Sequence, residues 1–264
     1  MRLRGAIMSF IPEMDDWVRS HYVDVANQTV AAIGSLEGKR ILDVGCGEPL
    51  IAFGLLSKGA SHVVGVDVKD LPESLRETTL RRLDAAGFSE ARRRITDMTL
   101  LSYDGITMPL ASDDFDVVFS WGVFEHIANV QRVLLEMKRV MKPDGVGFIK
   151  VFPWFPTLHG SHLSDFTAPF AHLKMSNTEL YATVVRYLDD HPEAPRGLVL
   201  DHIWPEFLTL NKYSADMFYR EFQGCGFSSH TWTPLCYPQE LSSAPAERSF
   251  SELMICGLEV VFRK

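Results

Sequence analysis

Three stretches of this 264-residue chain hold side chains that can do chemistry. The first is "ILDVGCG", where Asp43 precedes a turn made of Gly45, Cys46 and Gly47. Asp67 closes "HVVGVD" 20 residues after Gly47. Glycines at such a turn let the backbone bend sharply and let a ligand approach it closely. The second stretch is "WGVFEHI", with Glu125 and His126 adjacent. The third is "PWFPTLHGSHLSDF", in which His159 and His162 flank Gly160-Ser161, with Asp165 close by and His172 further on. Histidine is the usual proton acceptor near neutral pH, and carboxylate with imidazole is also a metal-binding combination.

A glycine turn alone fits any nucleotide, so the neighbouring residues must discriminate. A dinucleotide fingerprint needs a small residue at position 50, for close helix–strand packing beside a pyrophosphate. This chain has Leu50 there. Asp43 would face the phosphates, and like charges repel. A cationic ligand without phosphate suits the site better, and S-adenosylmethionine (SAM) has both an α-ammonium and a sulfonium. Asp67 would then accept the ribose hydroxyls. Asp104 would accept the adenine amino group, with Gly105 giving access to the backbone and Asp97 as a rival. The structural alternatives are an N-cap at Asp43, a turn cap at Asp67 and an Asp-Gly turn at Asp104.

In sequence order, "ILDVGCG", "VVGVD", "DGITMP", "DDFDVVFSW" and "RVMKPDG" resemble the successive motifs of the class I SAM-dependent methyltransferases, of the small-molecule, type 11-like kind. The resemblance covers about residues 38 to 152. It implies a Rossmann-like fold with SAM as cofactor. It puts Asp43 and Gly45 near the methionine part, Asp67 on the ribose and Asp104 on the adenine. Cys46, Gly47, Val68, Gly105, Ser120 and Trp121 are the other expected cofactor contacts. Glu48-Pro49-Leu50 departs from the small residues usual after the second glycine. The "EH" segment resembles that of ubiquinone-biosynthesis O-methyltransferases. It also resembles the ExxEH metal motif of small-RNA 2′-O-methyltransferases, with Gly122 in place of the first glutamate. The catalytic candidates are therefore His162 as base, with His126 and His159. Glu125, His126 and His162 are candidate ligands for Mg²⁺, Mn²⁺ or Zn²⁺.

These residues need a parallel sheet to bring them together. Strands are expected at 40–44, 62–67, near 94–103, at 115–121 and at 146–152, separated by helices at 50–59, 71–87 and 129–145. Strands alternating with helices of this length make a parallel sheet covered on both faces. The alternation stops at 153 and resumes with a helix at 213–225 and strands near 228–235 and 253–262. The reading is a doubly wound, mostly parallel seven-stranded α/β sheet. An N-terminal helical cap spans 1–37, and a methyltransferase domain spans 38–264. A substrate-covering insertion occupies about 153–211, with residues 153–172 expected to close over the cofactor by a hinge at Gly160. The cap helix is expected at 13–35, with Trp17, Tyr22, Val25, Ala26 and Val30 on its apolar stripe. Trp17, His21 and Tyr22 face either core or substrate.

The net charge of -8 argues against a nucleic-acid partner. The four cysteines form no CxxC pair, which fits a reducing cytoplasm rather than a disulfide framework or zinc site. No stretch is long and apolar enough for a membrane span. His191, His202 and His230 read as structural or exposed. Ser120-Trp121-Gly122-Val123 stands where the amide-nitrogen DNA and RNA enzymes carry (D/N)PP(Y/F), so that branch is set aside. The expected activity is methyl transfer to a hydroxyl of a small metabolite such as a sugar, quinone or polyketide. N-methylation of a small molecule or peptide is the nearest alternative. An NAD-dependent oxidoreductase and a non-catalytic SAM-fold partner are more distant. A homodimer is left open.

Overall fold

The computed structural model describes residues 14–264, so the first 13 residues of the expected cap lie outside the described residues. The rest of the cap is a continuous helical run: α1 (Met14–Arg19), a wider π turn (Ser20–Asp24) and α2 (Val25–Ile33). Its buried residues are Val18, Tyr22, Val25, Ala26 and Thr29. Trp17, expected on the apolar stripe, is 41% exposed, and Val30 is half-buried. A close backbone contact sets this orientation: a Cβ on Gly54 would lie 2.2 Å from the Tyr22 carbonyl oxygen.

Next come β1 (Arg40–Val44), α3 (Leu50–Ser57), β2 (His62–Asp67) and α4 (Ser74–Ala85). They are followed by β3 (Met98–Ser102), β4 (Phe115–Trp121), α5 (Val130–Val140) and β5 (Met141–Val151). After β5 the chain is mostly helical: α6 (Asn177–Asp190), α7 (Arg196–Leu198), a π turn (Val199–Ile203), α8 (Trp204–Thr209) and α9 (Ala215–Gly224). The chain ends with β6 (Ser229–Leu235), α10 (Phe250–Met254) and β7 (Gly257–Arg263).

Among the described residues, seven strands form one sheet in the order β3-β2-β1-β4-β5-β7-β6. Neighbours from β3 to β5 are parallel, and β7 runs antiparallel to both β5 and β6. This is the expected doubly wound, mostly parallel architecture. The strand order reverses between β1 and β4, which makes the carboxyl ends of those two strands the natural ligand edge.

Several expected boundaries move, among them the start of β5, expected at 146 and found at Met141. The strand expected from 94 begins at Met98, because Arg94 donates to the carbonyls of Leu56 and Ala60 and holds residues 89–97 in 3₁₀ turns. Helix α5 stops at Val140, three residues before Pro143, and Met141 is already extended. The helix expected at 71–87 is confined to 74–85. The last strand starts at Gly257, because Ser249 and Glu252 form a capping box that makes residues 250–254 helical.

Side chains alternate across the sheet into two cores. Leu42, Val44, Val64 and Val118 face α5 and α9, with Phe218 and Phe222. Ile41, Val63, Val117 and Phe119 face α3 and the cap helix, with Val18 and Tyr22. The insertion has its own core around Leu163, Leu180, Val184, Val199 and Phe207. No helix among the described residues is long and apolar enough to cross a membrane.

Candidate cofactor and catalytic site

Strand β1 delivers Asp43 to the ligand edge, and the turn after it is shaped by its glycines. Gly45 has φ +77°, and a Cβ there would sit 2.3 Å from Val123 in the segment after β4. Nothing but glycine fits between these two segments. The Gly45 and Cys46 amides donate to the Val66 carbonyl at 2.8 and 3.1 Å, which ties the turn to β2. The buried Cys46 thiol occupies the space that a side chain at Gly65 would need.

Asp67 holds two turns at once. One carboxylate oxygen accepts from the Gly47 amide at 2.9 Å, and the other accepts from the Lys69 amide at 2.9 Å. The turn-cap alternative is therefore real, and the carboxylate keeps further lone pairs for a ligand. Asp43 is buried, and its Oδ2 has no hydrogen-bond partner. Burial first, and the neighbouring Asp67 second, push the Asp43 carboxyl up to about 7. An uncompensated buried carboxylate beside a second one is the electrostatic environment that a cation relieves.

The segments that follow β2, β3 and β4 continue the ligand edge. Val68 and Ile106 are 64% and 51% exposed, an apolar pair flanked by Asp67 and Asp104. Asp104 accepts from the Ile106 and Thr107 amides, both at 2.8 Å, which closes the turn and lowers its pKa. Gly105 lies against Val68. The rival Asp97 is excluded: it precedes β3, at the opposite end of the sheet, and pairs with Arg94. The Ser120 hydroxyl donates to the Val44 carbonyl at 2.9 Å, stitching β4 to β1 at the switch point. Trp121 carries the Lys150 ammonium 4.4 Å from its ring centre, and that ammonium also pairs with Glu259.

Beyond β4, the structure brings two of the predicted clusters together. The His126 and His162 rings are 5.7 Å apart. One ligand atom from each of Glu125, His126 and His162 lies within 4.8 Å of the others. Burial pushes the Glu125 carboxyl up to about 8 and both imidazoles down to about 4. Glu125 Oε2 is buried without a hydrogen-bond partner. His162 sits in left-handed backbone at φ +60°.

The rest of the histidine loop behaves differently. His159 Nδ1 contacts the Ser164 hydroxyl at 2.8 Å, and the His159 carbonyl accepts from the His162 amide at 3.0 Å. His172 is buried against the Phe155 ring and carbonyl, a structural role. Gly160 is no hinge. A Cβ there would lie 2.2 Å from the Phe155 carbonyl and 2.3 Å from that of Trp154, so the turn is packed solid.

Two residues that the sequence did not suggest hold the Glu125-His126 turn from behind. Asn211 donates from Nδ2 to the Phe124 and Ile127 carbonyls at 2.7 and 2.8 Å, and from its amide to the Glu125 carbonyl at 2.8 Å. Thr209 Oγ1 lies 2.8 Å from His126 Nδ1.

Residues 42–149 match a family model described as a methyltransferase domain. The chain is 28% identical over 201 residues to a ubiquinone biosynthesis O-methyltransferase from Hahella chejuensis, covering 76% of this chain and 70% of that protein. The protein of the same name from Agrobacterium fabrum is 29% identical over 139 residues, covering 53% and 51%. The chain thus spans about half the length of the second relative. Among solved structures, a SAM-dependent methyltransferase from Mesorhizobium loti superposes with a TM-score of 0.54 at 19% identity, covering 96% of this chain and 100% of that one. A chain from the complex of the Haloferax volcanii Trm112 methyltransferase activator with a putative methyltransferase gives 0.54 at 16% identity, covering 94% and 92%. At these identities the structural likeness is one of fold.

Proposed function

We propose that this chain, whose residues 42–149 match a methyltransferase-domain family model, is a class I SAM-dependent methyltransferase that methylates a hydroxyl oxygen of a small metabolite. The observation that carries the proposal is the juxtaposition of His126 and His162 beside Glu125, just beyond the β4 end of the cofactor cleft. A neutral amine is already nucleophilic and needs no base. A hydroxyl must lose its proton, and a positioned imidazole is the usual acceptor. The O-methyltransferase names of the similar proteins support oxygen and favour a quinone-type ring among the acceptors. In the cleft, Asp43 and Gly45 are assigned to the methionine part, Asp67 to the ribose, and Asp104 with Gly105 to the adenine.

The methyl group moves by in-line displacement. Bound SAM would supply the methyl carbon for attack by the acceptor oxygen, the carbon–sulfur pair would stay on sulfur to give S-adenosylhomocysteine, and the imidazole of His126 or His162 would take the hydroxyl proton. The chain's main contribution is to hold oxygen and methyl aligned and close. The test incubates the enzyme with SAM and a panel of hydroxylated quinone precursors, sugars and polyketides, and identifies methylated product by mass spectrometry. O-methyl product is expected. Substituting His126 or His162 with alanine should lower kcat by roughly 10²–10⁴-fold at the catalytic base, with SAM affinity retained. Exclusive N-methyl product from mixed amine and hydroxyl substrates would overturn the proposal.

A second reading rests on the same cluster. One carboxylate and two imidazoles are a donor set that fits Mg²⁺, Mn²⁺ or Zn²⁺, and the unpartnered Glu125 Oε2 is the kind of atom a cation would satisfy. Such an ion would lower the pKa of a bound hydroxyl. Elemental analysis of the purified protein, with turnover measured after exhaustive chelation, tests it. Metal-free protein with full turnover would remove the metal.

A further inference from the structure

We propose that Thr209, on the insertion, is the positioning residue that fixes the tautomer of His126, making Nε2 of that ring the atom that receives the acceptor's proton. The inference rests on the hydroxyl-methylating reading and deepens it by choosing between the two histidines.

The Thr209 hydroxyl has one proton, and it donates that proton to the Glu206 carbonyl at 2.8 Å. A carbonyl cannot donate, so the direction of that bond is fixed. The same oxygen lies 2.8 Å from His126 Nδ1. With that proton on the Glu206 carbonyl, the Thr209 oxygen accepts from Nδ1, which then carries the ring hydrogen. The neutral ring then has its lone pair on Nε2. A second nitrogen held this way is how hydrogen bonding usually sets histidine tautomers, and an orienting third group is the usual companion of a histidine base.

The backbone around His126 is fixed from the same side. Both Nδ2 hydrogens of Asn211 are used, on the Phe124 and Ile127 carbonyls, and its amide donates to the Glu125 carbonyl. Asn211 Oδ1 accepts from the Tyr213 amide at 3.0 Å, which fixes the orientation of the side-chain amide. Thr209 and Asn211 therefore orient ring and turn together. The last residues of the insertion act on the active site through His126, without needing to touch the substrate. His162, the base favoured by sequence, becomes the neighbour that shapes the pocket.

The experiment uses the full chain labelled with ¹⁵N-histidine. Long-range proton–nitrogen NMR distinguishes a protonated ring nitrogen from a bare one, with His126 assigned by its loss in His126→Gln. The wild type is expected to show a protonated Nδ1 and a bare Nε2, and Thr209→Ser to keep that pattern. Thr209→Val, nearly the same size but unable to accept, is expected to move the proton to Nε2. With the acceptor found above, Thr209→Val should lower kcat by roughly 10–100-fold, the usual effect of losing such an orienting partner, with KM and SAM affinity little changed. Thr209→Ser should restore most of it. A wild-type His126 protonated at Nε2, or a Thr209→Val enzyme with unchanged kcat, would overturn the proposal. The NMR measurement requires no acceptor, so the tautomer is decided even if hydroxyl methylation fails. If Thr209→Val does not fold, the wild-type and Thr209→Ser spectra still decide it.

Discussion

Burial raises the Asp43 carboxyl from its ordinary 3.8 to about 7, with Asp67 adding to the effect. The folded state therefore binds the Asp43 proton more tightly than the unfolded chain does. Stability from this group is fully present below the unfolded value near 3.8 and is lost as pH rises through about 7. A gap of that size corresponds to roughly 4 kcal/mol as a ceiling. Asp43→Asn, which cannot ionise, should therefore make the SAM-free protein more stable than wild type at pH 8, with the advantage shrinking towards pH 4. Thermal melts of both proteins across that range check this, and parallel melting curves would refute it. SAM should reverse the preference, because a cation next to Asp43 favours the ionised form. Its affinity for wild type should fall as pH drops below 7, and Asp43→Asn should bind it more weakly at pH 8. Asp67→Ala should lose affinity by about 1.5–3 kcal/mol for each charge-assisted ribose bond removed, and it also frees the Gly47 amide. Calorimetry measures both. These two acids were legible in the sequence because their roles follow from residue type and distance along the chain. Thr209 and Asn211 were not, because they meet the Glu125-His126 turn from 83 to 87 residues away. Nothing local marks a threonine as the partner of a distant histidine.

At the scale of elements, β1, β2 and β4 were legible to the residue. Each is a short apolar run bounded by turn residues, buried on both faces, so local pattern and tertiary environment agree. The boundaries that moved are those decided by contacts distant in sequence, such as the Arg94 bonds to Leu56 and Ala60 that delay β3. Helix α6 carries a readable local signal, the Ser176-x-x-Glu179 capping box. The cap's stripe departs from expectation at its ends, where Val18 and Thr29 are buried in place of Trp17 and Val30, while Tyr22, Val25 and Ala26 are buried as expected. Gly54 sets the cap's orientation, through the approach of α3 to the Tyr22 carbonyl. Gly54→Ala should force these two segments apart and destabilise the protein by about 1–3 kcal/mol, the range for overpacking a close contact. Urea unfolding with an unchanged m-value would measure that loss. A neutral or stabilising Gly54→Ala would mean that the cap helix does not sit on α3 as described.

At the scale of the whole molecule, the insertion has the layout of a unit added to a complete sheet. Its interior is its own, built on Leu180, Val184, Val199 and Phe207. Its two ends meet: the Phe155 amide donates to the Tyr213 carbonyl at 3.2 Å, while the Trp154 amide donates to the Cys256 carbonyl just before β7. A chain that leaves and returns at one point can be shortened there without pulling strands apart. The proposed cofactor residues Asp43, Gly45, Asp67 and Asp104 all precede the insertion, and Asp67 and Asp104 accept hydrogen bonds from amides within that part. Replacing residues 157–208 with a short glycine-rich turn should therefore leave a folded protein that binds SAM within a few-fold of wild type. The same protein should not turn over, because His162 is gone and Thr209 no longer has α8 to hold it against His126. Calorimetry with SAM and a cooperative unfolding curve test the first half, and the acceptor assay tests the second. Loss of SAM binding with folding intact would show that the insertion builds the cofactor cleft as well. Retained turnover would show that the chemistry is complete within the sheet and its connecting loops, and would remove both His162 and Thr209 from it.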